Sequence, residues 1–190
     1  NNVTAMSVIP TLMDPTASYT MSVNGTLLGG IVSTGLERPA VPANVQLEVG
    51  ANVVTIVVTA QDGVTTRTYT VTVNRAGASN ADLSDLNDDL GGLLPGFSPD
   101  VFVYDTQVNW NNAALVFQPT SSDTHATILV NGAPVTSGTD SGSIALNPGS
   151  NVITVTVIAE DGVTSQAYTI TVFRPYAQIL SFVAKAATLP

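Results

Sequence analysis

Apolar and polar residues alternate with a period of two along much of the chain. In 149–174, Ile153, Val155 and Val157 fall on one face and Thr154 and Thr156 on the other. After a turn, Tyr168, Ile170 and Val172 alternate with Thr169 and Thr171. Alternation interrupted by Asp161-Gly162 is the sequence form of an antiparallel hairpin with one buried face. Asn24-Gly25 and Asn131-Gly132 mark two more hairpins, because glycine supplies the positive φ that such turns demand. No segment of ten or more residues carries the i, i+3, i+4 pattern of an amphipathic helix. The leucines between Asp82 and Leu94 come nearest, and Gly91-Gly92 and Pro95 stop them. The pattern predicts an all-β fold.

The pattern also repeats. Residues 50–75 match 149–174 without a gap at an offset of 99, with 15 of the 26 positions identical. The match runs from Gly50-Ala51-Asn52 against Gly149-Ser150-Asn151, through two Asp-Gly-Val-Thr turns, to Arg75 against Arg174. The two hairpins should therefore superpose, with Tyr69 and Tyr168 buried at equivalent places. Val23-Asn24-Gly25 answers Val130-Asn131-Gly132 at an offset of 107, so the first copy carries eight extra residues (107 − 99) around Gly29 to Pro42, a loop insertion.

These matches set the domain boundaries. A unit at 77–175 is complete, opening with Leu83, Leu86, Leu93, Phe97 and Tyr104. A unit at 1–76 starts late: Val3 to Ile9 answers Ala113 to Gln118, and nothing in front of it answers 81–111. The first sandwich is thus expected to lack its opening strand. Residues 176–190 hold Ile179, Leu180, Phe182 and Val183, which suit either the first strand of a further repeat or a strand donated to the first unit of another molecule.

The motifs carry a family resemblance. Leu83-Ser84-Asp85-Leu86, then Gly91-Gly92-Leu93-Leu94-Pro95-Gly96-Phe97-Ser98-Pro99-Asp100 and Tyr104, resemble the opening of the bacterial cadherin-like β-sandwich domain. Val130-Asn131-Gly132, Leu146 to Asn151 and Ala159 to Thr164 resemble its middle and closing hairpin. The resemblance implies tandem seven-stranded Ig/cadherin-like sandwiches with Greek-key connections. It also implies a place on a secreted or surface protein, with an adhesive or carbohydrate-binding role. These motifs make a fold and carry no chemistry of their own.

Composition narrows the function further. Charged residues are only 10% of the chain, so Thr, Ser, Asn and Gly must supply the polar surface. The net charge is −9 and the five bases are scattered, which argues against nucleic acid, whose binding needs basic patches. No apolar run approaches the ~18 residues of a membrane span, so membrane insertion is not expected. With no Cys and one His, thiolate chemistry and a two-imidazole metal site are excluded. His125 is expected to face solvent at a strand edge, and Glu160-Asp161-Gly162 is explained by turn chemistry. No enzyme activity and no cofactor are expected.

Two constellations remain. Asp82, Asp85, Asp88 and Asp89, with Asn87, could offer calcium the oxygens it prefers, although the same acids fit a solvated strand face behind Leu83 and Leu86. Stability is accordingly expected not to depend on divalent metal. Trp110 between Asn109 and Asn111 could stack on a sugar ring while the amides bond hydroxyls, or could be a partly buried aromatic closing one end of a sandwich. The expected protein is a non-catalytic, extracellular structural module of a bacterial stalk, adhesin or filament. Its expected partners are copies of itself or neighbouring repeats; the alternative is a carbohydrate-binding module that contacts cell-surface glycan.

Overall fold

The computed structural model describes residues 3–31, 43–90 and 92–177. All regular structure in them is β, and the chain divides into two compact units, Asn1–Ala78 and Ser79–Pro190. The eight-residue insertion falls largely at 32–42, outside the described residues.

The first unit holds β1 (Ala5–Val8), β2 (Ser18–Val23), β3 (Thr26–Ile31), β4 (Ala43–Gln46), β5 (Gly50–Thr59) and β6 (Thr66–Arg75). One sheet runs β3-β2-β5-β6, and β1 pairs with β4 in a second. Tyr19, Met21, Val23, Val45, Leu47 and Val54 are buried together, with Met6, Val8 and Ile56 packed against them.

The second unit holds β7 (Leu83–Asp88), β8 (Val103–Gln107), β9 (Ala114–Leu115), β10 (Phe117–Ser121), β11 (Thr127–Val130), β12 (Ala133–Val135), β13 (Ile144–Ala145), β14 (Gly149–Ile158) and β15 (Ser165–Arg174). A five-stranded sheet runs β12-β11-β14-β15-β8, and the pairs β10-β7 and β13-β9 contribute the other layer. Leu83, Leu86, Tyr104, Phe117, Ile153, Val155, Tyr168 and Ile170 lie in its core.

Turn chemistry repeats between the units. Asn24 and Asn131 both have φ of 48°, followed by glycines at 82°, the left-handed pair of a tight two-residue hairpin. Their side-chain carbonyls accept the Val53 and Thr154 N–H groups. Asp62 and Asp161 each accept two backbone N–H groups and a threonine hydroxyl across their Asp-Gly-Val-Thr turns. Asn52, fully buried, donates to the carbonyls of Glu48, Gly50 and Val73, and Asn151 does the same with Asn147, Gly149 and Val172. Each ties the end of a long hairpin to the loop that leads into it.

The two hairpins share one register, Gly50 opposite Arg75 and Gly149 opposite Arg174. The expected equivalence of their tyrosines fails. Tyr168 is 0% exposed whereas Tyr69 is 52% exposed, and Val71 is 53% exposed where its counterpart Ile170 is buried. The cause is the covering layer. In the second unit β8 lies parallel along Thr169–Phe173, and Phe97 and Phe102 pack on the Tyr168 ring at centroid distances of 6.4 and 5.4 Å. Among the described residues of the first unit, β6 has β5 on one side and no counterpart of β8 on the other.

The chain crosses the second unit from pole to pole. Leu83, at the start of β7, gives its N–H to the Tyr168 hydroxyl at 2.9 Å. From Tyr168 the strand β15 runs on to Arg174, six residues or roughly 20 Å further. The path therefore enters near one end of β15 and leaves from the other.

Candidate functional site

β7 carries the acidic cluster, and its geometry is set by a bulge. Its pairing with β10 slips between Thr120 and Ser121, where Leu83 faces Ser121 and Asp85 faces Thr120, leaving Ser84 as the extra residue. The bulge brings Leu83 and Leu86, three apart in sequence, onto the same buried face. The acids are then used locally. Asp85 accepts the Leu86 N–H at 2.9 Å and the Asn87 amide at 2.7 Å. Asp88 accepts the N–H groups of Leu90 at 2.8 Å and Gly92 at 3.0 Å, closing the loop after β7. Asp89 accepts the Val116 N–H at 2.8 Å, and Asp82 is exposed. Among the described residues no three acidic or histidine side chains gather as metal ligands would.

Trp110 sits in the turn after β8, where the Asn112 N–H bonds the Asn109 carbonyl at 3.0 Å. Trp110 is 56% exposed, and Asn109 and Asn111 are exposed beside it. The backbone here is anchored: the Arg174 guanidinium donates to the Trp110 carbonyl at 3.0 Å and to the Leu146 carbonyl at 2.8 Å. The structure thus brings Asn109, Trp110 and Asn111 together on one turn at the pole where β15 ends.

His125 is exposed, its Nδ1 3.2 Å from the Asp123 carboxylate, which also caps the local turn through the His125 N–H. No serine or threonine hydroxyl is hydrogen-bonded to the imidazole in these residues. Ile179, Leu180, Phe182 and Val183 lie outside the described residues.

Sequence reading missed the polar side chains that do the most for the architecture. Tyr168 Oη links Leu83 N–H to the Pro99 carbonyl, and Tyr104 Oη accepts from the Ser98 N–H at 3.1 Å and donates to the Ser98 carbonyl at 2.7 Å. Burial, first, and the nearby Asp82 and Asp100 carboxylates push the Tyr168 phenol above its ordinary pKa, against the Leu83 N–H. The repeated Gly-x-Asn at 50–52 and 149–151 was the signal for Asn52 and Asn151.

The family model of the cadherin-like β-sandwich domain matches residues 1–76 and again 79–175. A protein of Evansella cellulosilytica named "Putative membrane protein" is 36% identical over 97 residues, which cover 51% of this chain and 14% of that protein. Among solved structures, the fibronectin(III)-like modules of Clostridium thermocellum CbhA align over 96% of this chain and 90% of theirs, at 15% identity and a TM-score of 0.31. The SGBP-B protein of the Bacteroides ovatus mixed-linkage glucan utilization locus, solved with a heptasaccharide, aligns over 88% of this chain and 63% of its own, at 12% identity and a TM-score of 0.26. With the family model matched over both units, the chain belongs to the cadherin-like β-sandwich domain family.

Proposed function

We propose that this chain is a non-catalytic structural module of an extracellular, cell-surface protein, a link in a tandem array that holds other parts away from the cell. The observation that carries this reading is the pole-to-pole path through the second unit. A unit whose chain enters near one end of β15 and leaves from the other can be joined to further repeats on both sides. Among the described residues the hydrogen-bonded polar side chains support it, because their bonds go to turns and strand ends and do not converge on one cleft. Antibodies raised against the chain should label intact source cells without permeabilisation. Labelling that appears only after permeabilisation overturns the reading.

A second reading is favoured by one specific observation. Trp110 offers an exposed ring on an anchored turn between two exposed amides, the usual layout of a sugar platform. Binding to a cell-surface glycan through Trp110, Asn109 and Asn111 would add adhesion to the spacer role. On a glycan array the full chain should then bind one class of polysaccharide, with Trp110→Ala weakening it at least tenfold. An array without signal leaves the chain a spacer alone.

A further inference from the structure

The second unit takes its chain in at one pole and lets it out at the other, so a pull along the protein sets two of its strands against each other. β7 begins at the level of Tyr168, where the Leu83 N–H meets the phenol hydroxyl. β8 begins close by, Val103 opposite Thr169, and runs alongside β15 until Gln107 faces Phe173. The strand on the entering side and the strand that leaves thus point the same way and lie side by side. Tension drawn backwards on the entering chain and forwards on the leaving chain slides β8 along β15.

How a ladder is loaded decides how much it bears. When two strands are parted from one end, the bonds open singly and each meets the whole load in turn. When they slide lengthwise, every bond is loaded together and all must give at once. A parallel pair pulled at opposite ends is loaded the second way, its bonds evenly spaced along the strands. Here the ladder joins five residue pairs, bracketed by the Thr169 N–H to the Phe102 carbonyl at 2.8 Å and the Val108 N–H to the Phe173 carbonyl at 3.1 Å. Its inner face is sealed: Tyr104, Thr106, Ile170 and Val172 are all buried, and the Phe102 ring packs on Tyr168 at its head. Water, which competes for any bond it can reach, is kept from that face. On its other side β15 is held to β14 by ten pairs, so the ladder with β8 is the one to part first. The five pairs of β7 with β10 are interrupted at the Ser84 bulge, and once they open the load passes to β8.

We propose that the second unit bears tension, with the β8–β15 ladder as the clamp that sets the force at which it unfolds. This deepens the spacer reading, since a link that holds other parts away from a cell is pulled whenever those parts are. It rests on that reading for its purpose alone. The strength of the clamp is measured on purified chain and surface labelling on cells, so either can fail without the other.

The chain has no cysteine, so a pair of introduced cysteines supplies the only handles for single-molecule pulling. In the full chain, Ser79→Cys with Ala177→Cys, both at exposed positions, loads the second unit in shear and leaves the first off the path. Val103→Cys with Ala167→Cys, also exposed, draws β8 and β15 apart at one end and opens the ladder bond by bond. At the same pulling rate the first pair should hold to at least twice the force of the second. Matching forces overturn the proposal. A second measurement locates the resistance, because forced unfolding follows the barrier out of the native state and not the overall stability. With the shear handles in place, Asp105→His and Thr171→His stand opposite each other across the ladder. Dissolved nickel should bridge the two imidazoles and raise the unfolding force by half or more. Leu129→His with Thr156→His, opposed across β11 and β14, should gain thermal stability from nickel while the unfolding force stays level. Equal gains in force at both sites would overturn the clamp. So would no gain at the ladder while nickel still raises the melting temperature of that variant.

Discussion

At the residue scale, two tyrosines at matched positions of one repeat live in different surroundings, and the difference sets their energetic worth. Tyr168 is enclosed by Phe97 and Phe102 and bonded at its hydroxyl, so Tyr168→Ala removes a large packed ring and strands the Leu83 N–H. The expected cost is about 3–5 kcal/mol for the second unit, a large part of the stability of a domain this size. Tyr69→Ala removes a half-exposed ring and is expected to cost well under half as much in the first unit. Chemical denaturation of the two variants, followed by signals from each unit, checks both values. Equal losses would mean that the ring of Tyr69 is covered in solution. Sequence could not separate the pair, since each sits in an identical Tyr-Thr-x-Thr-Val setting. What separates them is a covering segment more than sixty residues from Tyr168 in sequence.

At the scale of the element, the hairpins were legible because strand periodicity and turn chemistry agreed. Alternating Val, Ile and Thr placed β5, β6, β14 and β15, and the Asn-Gly and Asp-Gly pairs placed the turns between strands. β7 was harder to read. Leu83 and Leu86 at a spacing of three belong to no strand period, and only the Ser84 bulge reconciles them. The Asx turns carry a pH signature. The Thr65 and Thr164 hydroxyls first, and then two backbone N–H groups in each turn, hold the Asp62 and Asp161 carboxyls below their ordinary pKa. A carboxyl depressed in the folded state stabilises it fully above the unfolded pKa of about 3.9, and that contribution fades as pH falls through the lower folded value. Melting temperature should therefore be level from pH 6 to about 4.5 and decline below about 4. Asp161→Asn should flatten the decline in the second unit. An unchanged slope in that variant would assign the acid sensitivity to other carboxyls.

At the scale of the whole molecule, the motifs from Leu83 to Tyr104 and from Val130 to Thr164 pointed to the family. The candidate sites were less legible, because whether Trp110 is exposed and where the acids point depend on loops that no periodicity governs. Asp85, Asp88 and Asp89 direct oxygens to backbone and amide N–H groups, and these bonds need no cation. The melting temperature is expected to be the same, within a degree or so, with a chelator and with millimolar calcium. A fall of several degrees on chelation, reversed by calcium, would instead make the 82–89 segment a calcium site.

The parallel pairing of β8 with β15 has a consequence for how the protein is made. Thr169 lies opposite Val103, so partners in one ladder are 66 residues apart (169 − 103) and are synthesised far apart in time. β8 must wait, with one edge open, until nearly the last residues of its unit leave the ribosome. Long-range closure of this kind is slow. The net negative charge and the threonine content of the chain thus have to keep a half-built sheet soluble during translation, well before the fold is finished.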